Sequence, residues 1–137
     1  MNAGMRWLGY AGLIPFVLLA LFPAAITPYA SQPVIVLFLT YSMIILSFMA
    51  GVLWPVFYRQ QRPLPLALAA VTAPVISFLA AATLTVESLL LLQAVLFIGL
   101  RLFEVLAGID AEYSPAYRSL RWQLTGVVVL CHLWLWW

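Results

Sequence analysis

Residues Leu89–Gly108, LLLLQAVLFIGLRLFEVLAG, decide how the whole chain is read. As a helix rising 1.5 Å per residue, this run is about 30 Å long, the thickness of a bilayer's hydrocarbon core. Its only strongly polar side chains are Gln93, Arg101 and Glu104. A strand cannot take the helix's place here. One spanning strand leaves its N–H and C=O groups unpaired in hydrocarbon, and the apolar–polar alternation of a barrel strand is missing.

Four further stretches read the same way: Trp7–Ile26, Val34–Tyr58, Leu64–Leu84 and Leu120–Trp137. The expectation is an all-α integral membrane bundle of five transmembrane helices, one membrane domain over residues 1–137. Composition agrees, with 66% hydrophobic and 7% charged residues. Soluble domains hold about 25% charged residues, and a soluble chain this short could not coat so much apolar surface. Polar, proline-bearing segments separate the runs. Thr27–Pro33 holds Pro28 and Pro33, Arg59–Pro63 closes the second run, and Ile109–Arg118 carries Asp110, Glu112 and Pro115. Thr83–Ser88, with Glu87, is the expected tight link between the third and fourth. Proline forces the residue before it out of helical geometry, so these are turns.

The basic residues set a direction. All six are arginines. If the spans alternate, Arg6, Arg59, Arg62, Arg118 and Arg121 fall on one side, while the other side holds Glu87 and no base. Positive residues favour the cytoplasmic face, which predicts a cytoplasmic N-terminus and an outside C-terminus. Trp134, Trp136 and Trp137 would then anchor the outer boundary, where indoles settle at headgroup level. The first run is read as a retained helix rather than a signal peptide, because it is long and Pro23 and Pro28 interrupt a cleavage region. No Arg- and Ser-rich amphipathic leader is read, which favours a bacterial inner (cytoplasmic) membrane. No basic run interleaved with aromatics points to nucleic acid. The single Cys131 leaves no internal disulfide and no multi-cysteine metal site, and reads as a small buried hydrophobe.

Small residues mark where helices approach in lipid. Ser47 and Gly51 form such a pair on the second run, Ala73, Ser77 and Ala81 on the third, and Gly9 and Gly12 on the first. Pro15, Pro55 and Pro74 fall inside runs, and each removes a backbone donor. Tyr41, Ser42, Gln93 and Gln123 are expected to hydrogen-bond between helices, and His132 to be structural or interfacial.

Arg101 and Glu104 are the candidate site. Three residues apart, they occupy neighbouring positions on one helix face. A charge near the centre of a membrane helix costs about 2.5–3.5 kcal/mol on insertion scales, so something must offset it. The expected offset is an intrahelical ion pair about 6–10 Å inside the boundary. At that depth Ser47 and Gly51 could complete a polar pocket. Asp110 and Glu112 are assigned to surface pairing with Arg118 and Arg121. No nucleophile elbow, His-Glu-x-x-His, phosphate loop or cysteine pair is present, so neither catalysis, metal nor cofactor is expected.

Leu8–Phe16 (LGYAGLIPF), Tyr41–Trp54 (YSMIILSFMAGVLW), and Tyr117–Arg121 followed by Leu124 and Thr125 occur in an order that resembles the domain-of-unknown-function family 3429 (DUF3429), the transmembrane protein 69-like membrane proteins. In the family motif a glycine tends to stand at Ala50, a basic residue at Leu53 and a glycine at Pro55. The resemblance implies a small multi-spanning inner-membrane protein and no particular activity. On size and the scarcity of polar interior residues, the first functional expectation is an accessory or assembly subunit of a larger membrane complex, with protein partners or as a homo-oligomer. The alternative is a small-solute, lipid or quinone binding or transport protein using Arg101 and Glu104.

Overall fold

In the computed structural model, which describes residues 2–137, the breaks within the first two apolar runs fall beside prolines. The first run splits into α1 (Ala3–Ala11) and α2 (Ile14–Leu21), with Pro15 just past the break. Asn2 caps α1 by accepting from Met5 N–H at 2.8 Å, and Tyr41 Oη donates to the Gly12 carbonyl at the bend, 2.7 Å away. The expected continuation to Ile26 ends instead at Leu21. Pro23 starts a separate turn, α3 (Pro23–Ile26), followed by the 3-10 turn Thr27–Tyr29. The second run divides likewise into α4 (Val34–Gly51) and α5 (Trp54–Gln60), where Pro55 cannot continue the ladder. Pro74, by contrast, sits inside an uninterrupted α6 (Leu64–Thr83).

The link to α7 (Val86–Leu106) is tighter than the sequence implied, only Leu84 and Thr85, because Thr85 caps the helix by accepting from Ser88 N–H at 3.3 Å. Glu87 lies in the first turn of α7, where the helix dipole favours an anion. Gly108 (φ 77°) reverses the chain into the 3-10 turn Ile109–Glu112, and Ser114 then caps α8 (Pro115–Trp136).

Four helical stretches are long and apolar enough to cross a membrane: Ala3–Leu21, Val34–Gln60, Leu64–Thr83 and Val86–Leu106. That corrects the expected five. The fifth, α8, has the length at 22 residues, but Arg118, Arg121, Gln123 and His132 lower its average hydropathy. With so much apolar surface outside, including Phe78, Leu79 and Val95, the protein is built for contact with a bilayer.

Phe16 of α2 is the wedge of the bundle. It is fully buried and meets Phe38, Tyr41 and Phe97 edge-on at centroid distances of 5.6, 4.8 and 6.3 Å. The close face of α6 is a small-residue stripe of Ala67, Ala70, Ala73, Ser77 and Ala80. Ala81, expected in that stripe, is exposed, as are Ser47 and Gly51 of α4. Gly9 is a close approach: a Cβ there would lie 3.0 Å from Leu120 Cδ2 of α8. Otherwise α1 has no buried residue, and it packs chiefly on α8.

Truncating Phe16 removes the ring that Phe38, Tyr41 and Phe97 pack against. Phe16→Ala is expected to lower the unfolding free energy by about 3 kcal/mol, as large-to-small core changes do. Phe78→Ala, on the outer face of α6, should change it by less than about 1 kcal/mol. Unfolding titrations in mixed micelles check the pair, and equal losses would remove Phe16 from its central role.

Candidate functional site

Two buried polar clusters and an apolar cleft stand out among the described residues. The first cluster joins α7, α8 and the turn between them. Arg101 and Glu104 are both fully buried, yet they do not pair with each other. Arg121 of α8, 3% exposed, grips Glu104 with both arms: Nε donates to Oε1 at 3.1 Å and Nη2 to Oε2. Tyr113 Oη donates to the same carboxylate at 2.7 Å. Arg101 turns the other way, its Nη2 donating to Asp110 Oδ1 at 2.6 Å and its guanidinium lying 4.4 Å from the centre of the Trp122 ring. The expected intrahelical pair is therefore replaced by two tertiary pairs, and Asp110 and Arg121 belong to them rather than to the surface. The reason is geometric. A bidentate clamp from a facing helix satisfies both carboxylate oxygens, which a neighbour three residues along the same helix does not.

Tyr113 lies in the turn outside the spanning helices. Burial, and then its hydrogen bond to Glu104, push its phenol well above the ordinary tyrosine range, so it stays a proton donor to the carboxylate. Arg101 Nε and Nη1 have no hydrogen-bond partner among the described residues, and the face of its guanidinium rests on Trp122.

The second cluster is a directed chain through the middle of the bundle. Ser77 Oγ donates to Gln93 Oε1 (2.5 Å), Gln93 Nε2 donates to Ser42 Oγ (2.9 Å), and Ser42 Oγ meets His132 Nε2 (2.7 Å). His132 Nδ1 faces the Val128 carbonyl at 2.7 Å, which requires the proton on Nδ1 and leaves Nε2 to accept from Ser42. The imidazole is walled by Phe38, Phe97 and Phe16 at 4.8, 5.6 and 6.0 Å. α4, α6, α7 and α8 are thus tied by one relay in which every link faces a partner. The expectation of interhelical bonds holds for all four residues: Ser42 and Gln93 here, Tyr41 at Gly12, and Gln123 accepting from Tyr10 Oη at 2.6 Å. His132 is fully buried rather than interfacial. Cys131 is buried too.

The cleft, about 310 Å³, opens between α1, α2 and α4 on one side and α7 and α8 on the other. Its walls are mostly apolar, with Leu13, Phe16, Phe48 and Phe97 among them. Its polar wall comes from α8, where Tyr117, Arg121 and Thr125 recur every four residues along one face. Arg121 Nη1 points at Met49 Sδ across the cleft. Ser47 and Gly51 take no part, since α4 turns Ile45, Phe48, Met49 and Val52 to the cleft instead. Of the four residues expected to form a site, the structure brings Arg101 and Glu104 into one charged cluster and leaves Ser47 and Gly51 on the outer surface. Asp110 and Arg121 were expected to pair on the surface, and Tyr113 and Tyr117 had no expected place in the site. For Tyr117 and Arg121 the signal in the sequence is their four-residue spacing with Thr125, a spacing that includes neither Asp110 nor Tyr113. Trp134, Trp136 and Trp137 are exposed at the free end of α8.

A family model described as "Protein of unknown function (DUF3429)" matches residues 1–137, the whole chain. No curated protein and no solved structure matches.

Removing one partner of a buried pair strands the other, at about 3–5 kcal/mol, whereas removing both is nearly neutral. Glu104→Gln alone should therefore lose most of the folded yield, and the Glu104→Gln/Arg121→Gln double variant should recover it. Size-exclusion profiles and melting curves of the two proteins check this. A double variant as impaired as the single one would show that the pair is not the coupled unit.

Proposed function

Because the chain belongs to the DUF3429 family, described only as of unknown function, we propose its role from its own geometry: a non-catalytic binding protein that holds a lipid-soluble molecule within the membrane. One observation carries this reading. An apolar cleft of about 310 Å³ lies beside a buried guanidinium and is bordered by exposed apolar residues, Leu8 and Phe48. Ligand sites are concave, mostly apolar and marked by a few placed polar groups, in volumes of about 300–1,000 Å³. The accessory-subunit reading rests on size and composition alone, so the cleft takes precedence over it.

In this reading α8 is a fifth span. Its average hydropathy understates it, because Arg121 and His132 point into the bundle while Trp122, Leu130 and Leu133 face out. The arginine-bearing turns gather at one end. Arg62 Nη1 donates to the Ala107 carbonyl at 3.1 Å, which ties the start of α6 to the end of α7, and Tyr10 Oη donates to Gln123 at 2.6 Å, which ties the last turn of α1 to α8. By the positive-inside rule that end is cytoplasmic, and we assign the protein to a bacterial inner membrane with its C-terminus outside. The three tryptophans then form the outer interfacial belt.

Two measurements test this. With Cys131 replaced by alanine, Ser119→Cys should react with an impermeant maleimide only from the cytoplasmic side and Trp137→Cys only from the outside. Labelling of both from one side would remove the fifth span. Ile45→Trp should fill the cleft while every residue of the charged cluster is kept. Purified in mild detergent, it is expected to carry at least ten-fold less of the lipid-soluble molecule that mass spectrometry finds on the wild type. Equal amounts on both would place the ligand elsewhere.

A further inference from the structure

The polar side chains that α8 turns to the cleft can all donate, and the charge among them is already met. Arg121 gives Nε and Nη2 to Glu104, so the pair adds no net charge to the wall. Its remaining arm, Nη1, faces Met49 Sδ, a weak acceptor that a carbonyl oxygen would readily displace. One turn to either side stand Tyr117 and Thr125. Elsewhere in the chain Thr40, Thr72 and Thr83 turn their hydroxyls back onto the carbonyl four residues before. Thr125 makes no such bond among the described residues, and its hydroxyl remains to serve the cleft. The stripe therefore offers a phenol, a guanidinium N–H and a hydroxyl at intervals of about 6 Å. The facing walls are hydrocarbon and aromatic.

We infer that the cleft takes an uncharged, carbonyl-bearing lipid, a quinone or an acylglycerol, whose oxygens accept from Arg121 Nη1 and from Tyr117 or Thr125. This inference rests on the cleft being the binding site. An anionic head is disfavoured on the same evidence. It would sit beside the Glu104 carboxylate, with the attraction of Arg121 already spent on that carboxylate, and it would carry its own desolvation cost into the bundle. The second charged pair changes nothing, because Asp110 offsets Arg101. A neutral carbonyl adds no charge and satisfies a donor that otherwise faces sulfur. Both candidate sources carry two such oxygens, on opposite sides of a ring or on adjacent esters, which suits donors one helical turn apart.

The test uses the full-length protein in nanodiscs and four probes: a short-chain benzoquinone, dioleoylglycerol, oleate and dioleoyl phosphatidate. Binding is read by native mass spectrometry, and by tryptophan quenching for the quinone. At least one neutral probe is expected to bind ten-fold or more tightly than either anion, and the tighter of the two neutral probes identifies the source. Tyr117→Phe and Thr125→Val leave the Arg121–Glu104 pair intact, and at least one of them should weaken that probe about three- to ten-fold, the effect of one hydrogen bond. Tighter binding of oleate or phosphatidate, no binding of any probe, or unchanged affinity in both variants would overturn the inference. The fate of the cleft itself is read separately from Ile45→Trp. If that variant loses its co-purified lipid while the neutral probes fail, the site stands and only its ligand class is wrong.

Discussion

A charge held inside an apolar bundle must find its counter-charge within the protein, and the clamp of Arg121 on Glu104 is where this chain meets that demand. Several features follow from it. The clamp docks α8 against α7 at the end where the two are joined. It recruits Tyr113, which draws the turn after Gly108 back over the pair. That turn in turn presents Asp110 to Arg101. Removal of any one member leaves a buried group unpaired, which costs far more than the net worth of the bond itself. The opposite half of the bundle obeys the same rule with neutral groups, through the chain from Ser77 to His132. Interhelical hydrogen bonds in membranes are individually modest, about 0.6 kcal/mol. The relay therefore contributes less to stability than to register, since only one rotation of four helices aligns all its links.

The cleft has a different origin, in the prolines. Pro15 and Pro55 break the first and second long helices at points where each would otherwise run on straight. Below the Pro15 break α2 packs on α4 and α8, while α1 packs chiefly on α8. The space between α1 and the later part of α4 is left open, and it becomes the cleft. Gly9 lets α1 approach Leu120 of α8 closely, and the neighbouring Tyr10 bonds Gln123 of the same helix.

Much of this was legible in the residues. Long apolar runs bounded by proline predict helices, and the helices are there; isolated polar residues in such runs predict interhelical bonds, and Tyr41, Ser42, Gln93 and Gln123 make them. The charged site was half legible. That Arg101 and Glu104 must be compensated follows from their position, but the identity of each partner does not, because spacing along one helix carries no information about what a second helix presents. Ser47 and Gly51 show the same limit from the other direction. A pair of small residues marks a face that can be approached without saying whether anything approaches it, and here the face turned inward carries Ser42, Leu46 and Ala50. The cleft left no trace in composition, since it depends on how far α1 diverges from α4.

The last helix shows why an average over a helix is a poor guide to its surroundings. α8 falls short of the other four in hydropathy because it carries Arg118, Arg121, Gln123 and His132. If α8 spans the bilayer as proposed, hydrocarbon meets only its outward face. Arg121 and His132 are buried against partners, Gln123 is bonded to Tyr10, and Tyr117 and Thr125 face the cleft. Its large exposed apolar side chains are Trp122, Leu130, Leu133, Trp134 and Trp136. Under the proposed topology the low average is thus the mark of a helix that brings Arg121 and His132 to the interior and Tyr117 and Thr125 to the cleft. A helix that supplies the clamp, the histidine of the relay and the donors of the cleft cannot also be uniformly apolar.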